Sequence, residues 1–124
     1  AYAITGDRRY AHKAGVLLDR IADVWPAFDY AKQGLVYERA RYGGGVAGYV
    51  YYAIESAYTA MYLATAYDQV FDGIRDDRQL VAFLRGKDGR KQSFADVQKN
   101  IEQNIFQHIL DHPYQIRTNY PGQE

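Results

Sequence analysis

Apolar positions recur along this chain with the spacing of helices, and the pattern appears three times. From Arg8 onward, Tyr10, Ala14, Leu17, Leu18, Ile21 and Trp25 follow one another at helical steps, with Arg8, Lys13, Asp19, Arg20 and Asp23 mostly on the other side. Asp7 stands where an N-cap belongs and Pro26 where a helix cannot continue, so the spacing predicts a helix over 8–24. Ahead of it, Ala1-Tyr2-Ala3-Ile4-Thr5 reads as the tail of another helix closed by Gly6. At the other end, the residues from Arg117 to Glu124 read as a polar turn opening a further helix. Together the two ends raise the expectation of a section of a longer helical array.

The second pattern predicts a helix over 49–71. Val50, Tyr51, Ala53, Ile54, Ala57, Tyr58, Met61, Tyr62, Ala64, Tyr67 and Val70 leave it without a clean polar face. Such a helix is expected to be buried on several sides and to need neighbours. Asp72-Gly73 is expected to end it. Asp76 or Asp77 can then cap a short helix through Leu80, Val81, Phe83 and Leu84, with Gly86 as its stop. Lys87 to Gln92 reads as a polar loop. Ser93, with Asp96 three residues on, forms a capping-box signal for the third long helix. Its stripe is Phe94, Val97, Ile101, Ile105, Phe106, Ile109 and Leu110, and Pro113 terminates it.

Residues 26–48 are irregular: an aromatic loop at Pro26 to Tyr30, then a short helix or extended piece from Leu35 to Arg41. Gly43-Gly44-Gly45 and Gly48 impose a break. No strand precedes the triplet and no Lys-Ser/Thr follows, so it reads as an ordinary loop that could border a cleft rather than a phosphate cradle. No stretch alternates long enough for a strand. The expected fold is all-α, antiparallel helical hairpins joined by loops, in one segment over 1–124.

Composition narrows the function classes. Fifteen Lys plus Arg balance fifteen Asp plus Glu, for a formal net charge of zero, which argues against nucleic acid or an anionic membrane as partner. There is no Cys, so disulfides, thiolate nucleophiles and zinc-thiolate sites are excluded from these residues. The richest apolar stretch, Val46 to Leu63, is interrupted by Glu55 and several Tyr, so no membrane span is expected. Thirteen Tyr against five Phe and one Trp suit either the seams between helices or a sugar-binding cleft.

Three His are present. His12 is expected to be exposed near Arg8 and Arg9. His108 and His112 share a helix face, but no Glu follows His108 in the metalloprotease pattern and Pro113 ends the helix, so no metal is expected there.

The run Ala1-Tyr2-Ala3-Ile4-Thr5-Gly6-Asp7-Arg8-Arg9-Tyr10-Ala11-His12-Lys13-Ala14, followed by Leu17 to Val24, resembles the α/α-toroid of the heparinase II/III and alginate lyase group, whose helical hairpins carry Thr-Gly-Asp turns. Leu63 to Asp68 is similar to the helix end seen there before a loop toward the cleft. Ile116-Arg117-Thr118-Asn119-Tyr120 is similar to the segment where those lyases place an active-site Asn beside an aromatic residue.

The resemblance implies part of an incomplete (α/α) toroid in a secreted or periplasmic polysaccharide lyase, cleaving an acidic, uronate-containing glycan by β-elimination without a cofactor. It implies Asn119 as the catalytic group neutralising the uronate carboxylate, with Arg117, Tyr120 and His112 contacting substrate. Read as residues alone, Asn119 is first a turn or cap before Pro121, Arg117 a surface ion-pair partner and Tyr120 a packing residue. The catalytic Tyr and His of that group normally come from later segments, so this segment alone is expected to be inactive. Two alternatives stand beside it. An α/α-toroid glycoside hydrolase would need two carboxylates across the bond, whereas Glu55 and Asp68 lie ~20 Å apart by helix rise. A non-catalytic helical module would use exposed apolar faces to bind a partner or a second copy.

Overall fold

The computed structural model describes residues 1–28, the backbone of 53–57, and all of 58–111. Every regular element among them is helical. Helix α1 is a single turn, Tyr2–Thr5, closed by Gly6 in the left-handed region at φ 67°, a conformation that favours glycine. Asp7 then caps α2, Arg8–Val24, its carboxylate accepting the Arg9 N–H at 2.9 Å. The Thr-Gly-Asp sequence is therefore a stop and a start in three residues. Pro26 sits in a 3₁₀ turn, Trp25–Ala27, that follows α2 directly.

Helix α3 spans Ala53–Arg75, α4 Arg78–Lys87 and α5 Phe94–Ile101. A π-helical stretch, Glu102–Gln107, carries α5 on into α6, His108–Asp111. Both cap signals are realised. The Asp77 carboxylate accepts the Leu80 N–H at 2.9 Å. Ser93 and Asp96 exchange hydrogen bonds, with Asp96 accepting the Ser93 N–H at 2.8 Å and Ser93 Oγ accepting the Asp96 N–H at 3.3 Å.

Helix α2 is the centre of the packing. Its Ala11, Leu18 and Ala22, with Trp25 just beyond its end, meet Val70 and Ile74 of α3, Leu80 and Leu84 of α4, and Val97, Ile101 and Ile105 of the last helix in one buried cluster. The crossing of α2 and α3 is close because it uses small residues. A methyl group on Gly73 would lie 2.6 Å from Ala11 Cβ and 2.8 Å from the Tyr2 ring. One on Gly15 would meet Leu80 Cδ2 at 2.7 Å. An aromatic seam joins α3 to α5 and its π-helical extension, with Phe71 against Phe94 at 5.7 Å and Tyr67 against Phe106 at 5.5 Å between ring centroids.

Several expectations change. Gly73 does not end the second long helix; it is buried inside α3, which continues to Arg75, because the α2 crossing needs a residue without a side chain there. Gly86 does not stop α4, which runs one residue further to Lys87 and ends when the Asp88 N–H bonds the Leu84 carbonyl. Leu17 lies off the buried stripe of α2 and is 63% exposed. Helix α3 is not covered all round: Val70 and Ile74 are buried, while Tyr58, Met61 and Tyr62 are exposed, with Tyr58 and Tyr62 stacked at 6.4 Å. The triple-glycine segment and the start of the second predicted helix lie outside the described residues.

Candidate functional site

The strongest concentration of polar chemistry is where α2, the Asp88–Gln92 loop and α5 meet. Asp19 and Asp23 stand one turn apart on α2, so they share a face. Asp19 is buried, although its polarity placed it opposite the apolar stripe in the sequence pattern. The loop brings in Lys91, also buried. Its Nζ donates to Asp19 Oδ2 at 2.5 Å and to Asp23 Oδ1 at 2.8 Å. Asn100 closes the cluster from α5, donating through Nδ2 to Asp19 Oδ1 and to Asp23 Oδ1, both at 2.9 Å. Asn104 in turn donates to Asn100 Oδ1 at 2.8 Å.

Burial alone would push the Lys91 ammonium down. The hydrogen bonds and negative charges of Asp19 and Asp23 outweigh that effect and hold its pKa above the ordinary lysine value. Lys91 is thus a charged anchor at neutral pH, and two carboxylates against one ammonium leave the cluster with an excess negative charge.

Over this cluster lies a groove of about 780 Å³. Arg20, Lys87, Arg90, Lys91 and Lys99 contribute cations to its lining, Asp23, Asp88 and Asp96 carboxylates, and Asn100, Gln103 and Asn104 side-chain amides. Arg90 is tied to Asp88 through Nη2 at 2.7 Å, and its hydrogen bonds hold the Asp88 carboxyl down to about 2. No ion-pair partner exists for Arg20 or Lys99 among the described residues. Gln103 and Asn104 belong to the π-helical stretch, and such interruptions of α-helices occur frequently at functional sites. In the same stretch, Glu102 accepts the Tyr67 hydroxyl at 2.9 Å. Burial first, then that hydrogen bond to a carboxylate, pushes the Tyr67 pKa well up, so this phenol is a structural donor rather than a base.

The groove therefore offers amides and both signs of charge, with Arg20 and Lys99 as the cations not paired to a carboxylate among the described residues. Amides exchange hydrogen bonds with hydroxyls, and uncommitted cations pair with carboxylate, sulfate or phosphate. Among the described residues no group of three or more His, Asp or Glu side chains is arranged to hold a metal ion. No described helix is long and apolar enough to cross a membrane.

Asn119, Arg117, Tyr120 and His112 all lie outside the described residues. His12, expected to be exposed, is half-buried and hydrogen-bonded to Asp77 at 2.8 Å, because α4 begins beside the second turn of α2. Sequence reasoning missed the Lys91 cluster. The available signal was Asp19 and Asp23 at one-turn spacing beside the apolar stripe, but nothing local ties them to a loop lysine 72 residues from Asp19. No known protein family, curated protein or solved structure matches this chain.

Proposed function

We propose that the chain is a segment of a polysaccharide lyase that takes an acidic, uronate-containing glycan. The observation that carries this reading is the groove in which the amides of Asn100, Gln103 and Asn104 stand beside Arg20 and Lys99, neither of them paired with a carboxylate among the described residues, a chemistry that suits a ligand rich in hydroxyls with an occasional carboxylate. The Thr5-Gly6-Asp7 joint between α1 and α2 agrees with the helical-hairpin organisation that the resemblance implies.

In β-elimination the proton leaves C5 of the uronate, the electron pair forms the C4–C5 double bond, and the glycosidic oxygen on C4 departs with a proton. The weak acidity at C5 requires neutralisation of the adjacent carboxylate, the role proposed for the Asn119 amide. Loss of one such donor lowers turnover ~10²–10³-fold in comparable sites. Arg117, Tyr120 and His112 would hold neighbouring parts of the polymer.

The test is to assay the intact protein on uronate polymers, following ultraviolet absorbance of the unsaturated product, with Asn119→Ala in parallel. Absence of unsaturated product from the unaltered protein would remove the lyase reading, and full turnover by the variant would remove Asn119 from the mechanism. Saturated products would instead support an α/α-toroid hydrolase. A non-catalytic interaction module is the second reading, favoured by the exposed apolar strip of Tyr58, Met61 and Tyr62 on α3.

A further inference from the structure

A second polar groove, of about 550 Å³, lies where the first turns of α2 and α4 come together. Its centre is a histidine–carboxylate pair. Asp77 uses its two oxygens for different tasks: Oδ1 caps α4 through the Leu80 N–H at 2.9 Å, and Oδ2 lies 2.8 Å from His12 Nδ1. An ionised carboxylate only accepts hydrogen bonds, so Nδ1 must carry a proton. The other ring nitrogen, Nε2, is left without a hydrogen-bond partner among the described residues. Phe83 packs against the imidazole at 6.4 Å between centroids, and together with Asp77 it fixes the ring from two sides.

Around this fixed imidazole the groove carries more positive than negative side chains. Arg8, Arg9, Lys13 and Arg78 line it against Asp76 and Asp77. Arg9 is committed to Asp7, with Nη2 at 2.6 Å from Oδ2, and Asp76 is 3.7 Å from Arg75. Arg8, Lys13 and Arg78 have no carboxylate partner among the described residues. Several uncommitted cations around an oriented imidazole are the chemistry of oxyanion recognition: the cations supply the charge and the charge-assisted hydrogen bonds, and the fixed ring forms one wall of the groove. The volume falls within the range of small-ligand pockets, ~300–1,000 Å³.

We infer that the groove at His12, Arg8, Lys13 and Arg78 is an oxyanion-binding site, and, resting on the acidic-glycan reading above, that its ligand is the carboxylate of a uronate unit. It would hold the polymer at a second point of attachment, separate from the groove over Lys91.

The test uses intact protein with ¹⁵N-labelled histidine, titrated at low salt with a uronate trisaccharide, a neutral trisaccharide and inorganic phosphate. Saturable shifts of the His12 ring nitrogens with the uronate, none with the neutral sugar, and a weakening of about tenfold or more in Lys13→Gln/Arg78→Gln would support the proposal, tenfold being the loss of roughly one charge-assisted hydrogen bond. Both substituted residues are exposed, so the variant keeps its fold, and unchanged shifts of His108 would check that. If the uronate binds but leaves His12 unmoved, or binds the double variant equally well, the groove assignment is overturned while the glycan reading stands. A response to phosphate without one to the uronate keeps the oxyanion site and overturns its glycan ligand. Silence of His12 toward both anions overturns the inference outright.

Discussion

Replacing Lys91 with Met keeps the bulk of the side chain and removes its charge. In the native protein the ammonium sits between Asp19, which is 1% exposed, and Asp23, whose side chain is 27% exposed. Removing one partner of a buried ion pair costs about 3–5 kcal/mol, because the other charge stays behind in a poor solvent. Two features move the expectation to the lower end. Asn100 still donates to both carboxylates at 2.9 Å, and water reaches Asp23. A loss of about 3 kcal/mol is therefore expected for Lys91→Met, equivalent to a fall in Tm of roughly 10 °C for a domain of this size. Urea denaturation checks it, with the midpoint lowered and the slope unchanged. Asp19→Asn in the same background should recover part of the loss, a coupling of about 1–3 kcal/mol between the two sites. A Lys91→Met protein within about 1 kcal/mol of the parent, with additive effects in the double variant, would refute a buried three-group cluster.

Gly73→Ala should destabilise by about 1–3 kcal/mol despite the better helix propensity of Ala, since the new methyl meets Ala11 Cβ; thermal melting reads the sign, and a stabilised variant would contradict the close α2–α3 crossing. Stability should decline as pH rises above about 10. The folded pKa values of Lys91 and Tyr67 are both raised, so their contributions are complete below the unfolded values and are lost as pH climbs through the folded ones; a flat denaturation midpoint from about pH 9 to 11 would contradict this. Ser93→Ala removes one half of a reciprocal cap and should cost about 1 kcal/mol, with hydrogen exchange accelerated first in the opening turn of α5.

Local signals carried the helices well where the chemistry is itself local. Asp7, Asp77 and Ser93 each satisfy a helix N-terminus with atoms two or three residues away, so a short window of sequence contains the whole interaction. Glycine behaved differently. Gly6 stops a helix because its backbone enters the left-handed region, whereas Gly73 supports one because another helix lies against it, and only the tertiary neighbour separates these cases. The same limit applies to the polar site. A lysine in a Gly-Arg-Lys-Gln loop is ordinarily solvated, and its burial here depends on two aspartates and an asparagine brought from distant turns. His12 shows the converse: its partner Asp77 was legible as a cap, but the task of that carboxylate's second oxygen was not.

The π-helical interval at Glu102–Gln107 also sets the direction of α6. A regular helix advances roughly 100° per residue, so the wider turn rephases every side chain beyond it relative to those of α5. Val97, Ile101 and Ile105 stay aligned on the core while Asn100 and Asn104 remain within reach of one another on the groove side. Trimming one residue from this interval would restore ordinary winding and leave Ile109 on nearly the same bearing, because the wide turn takes up about one residue more than an α-helix would. The irregularity thus acts as a slack link, taking up one residue while Ile109 still rests against the core.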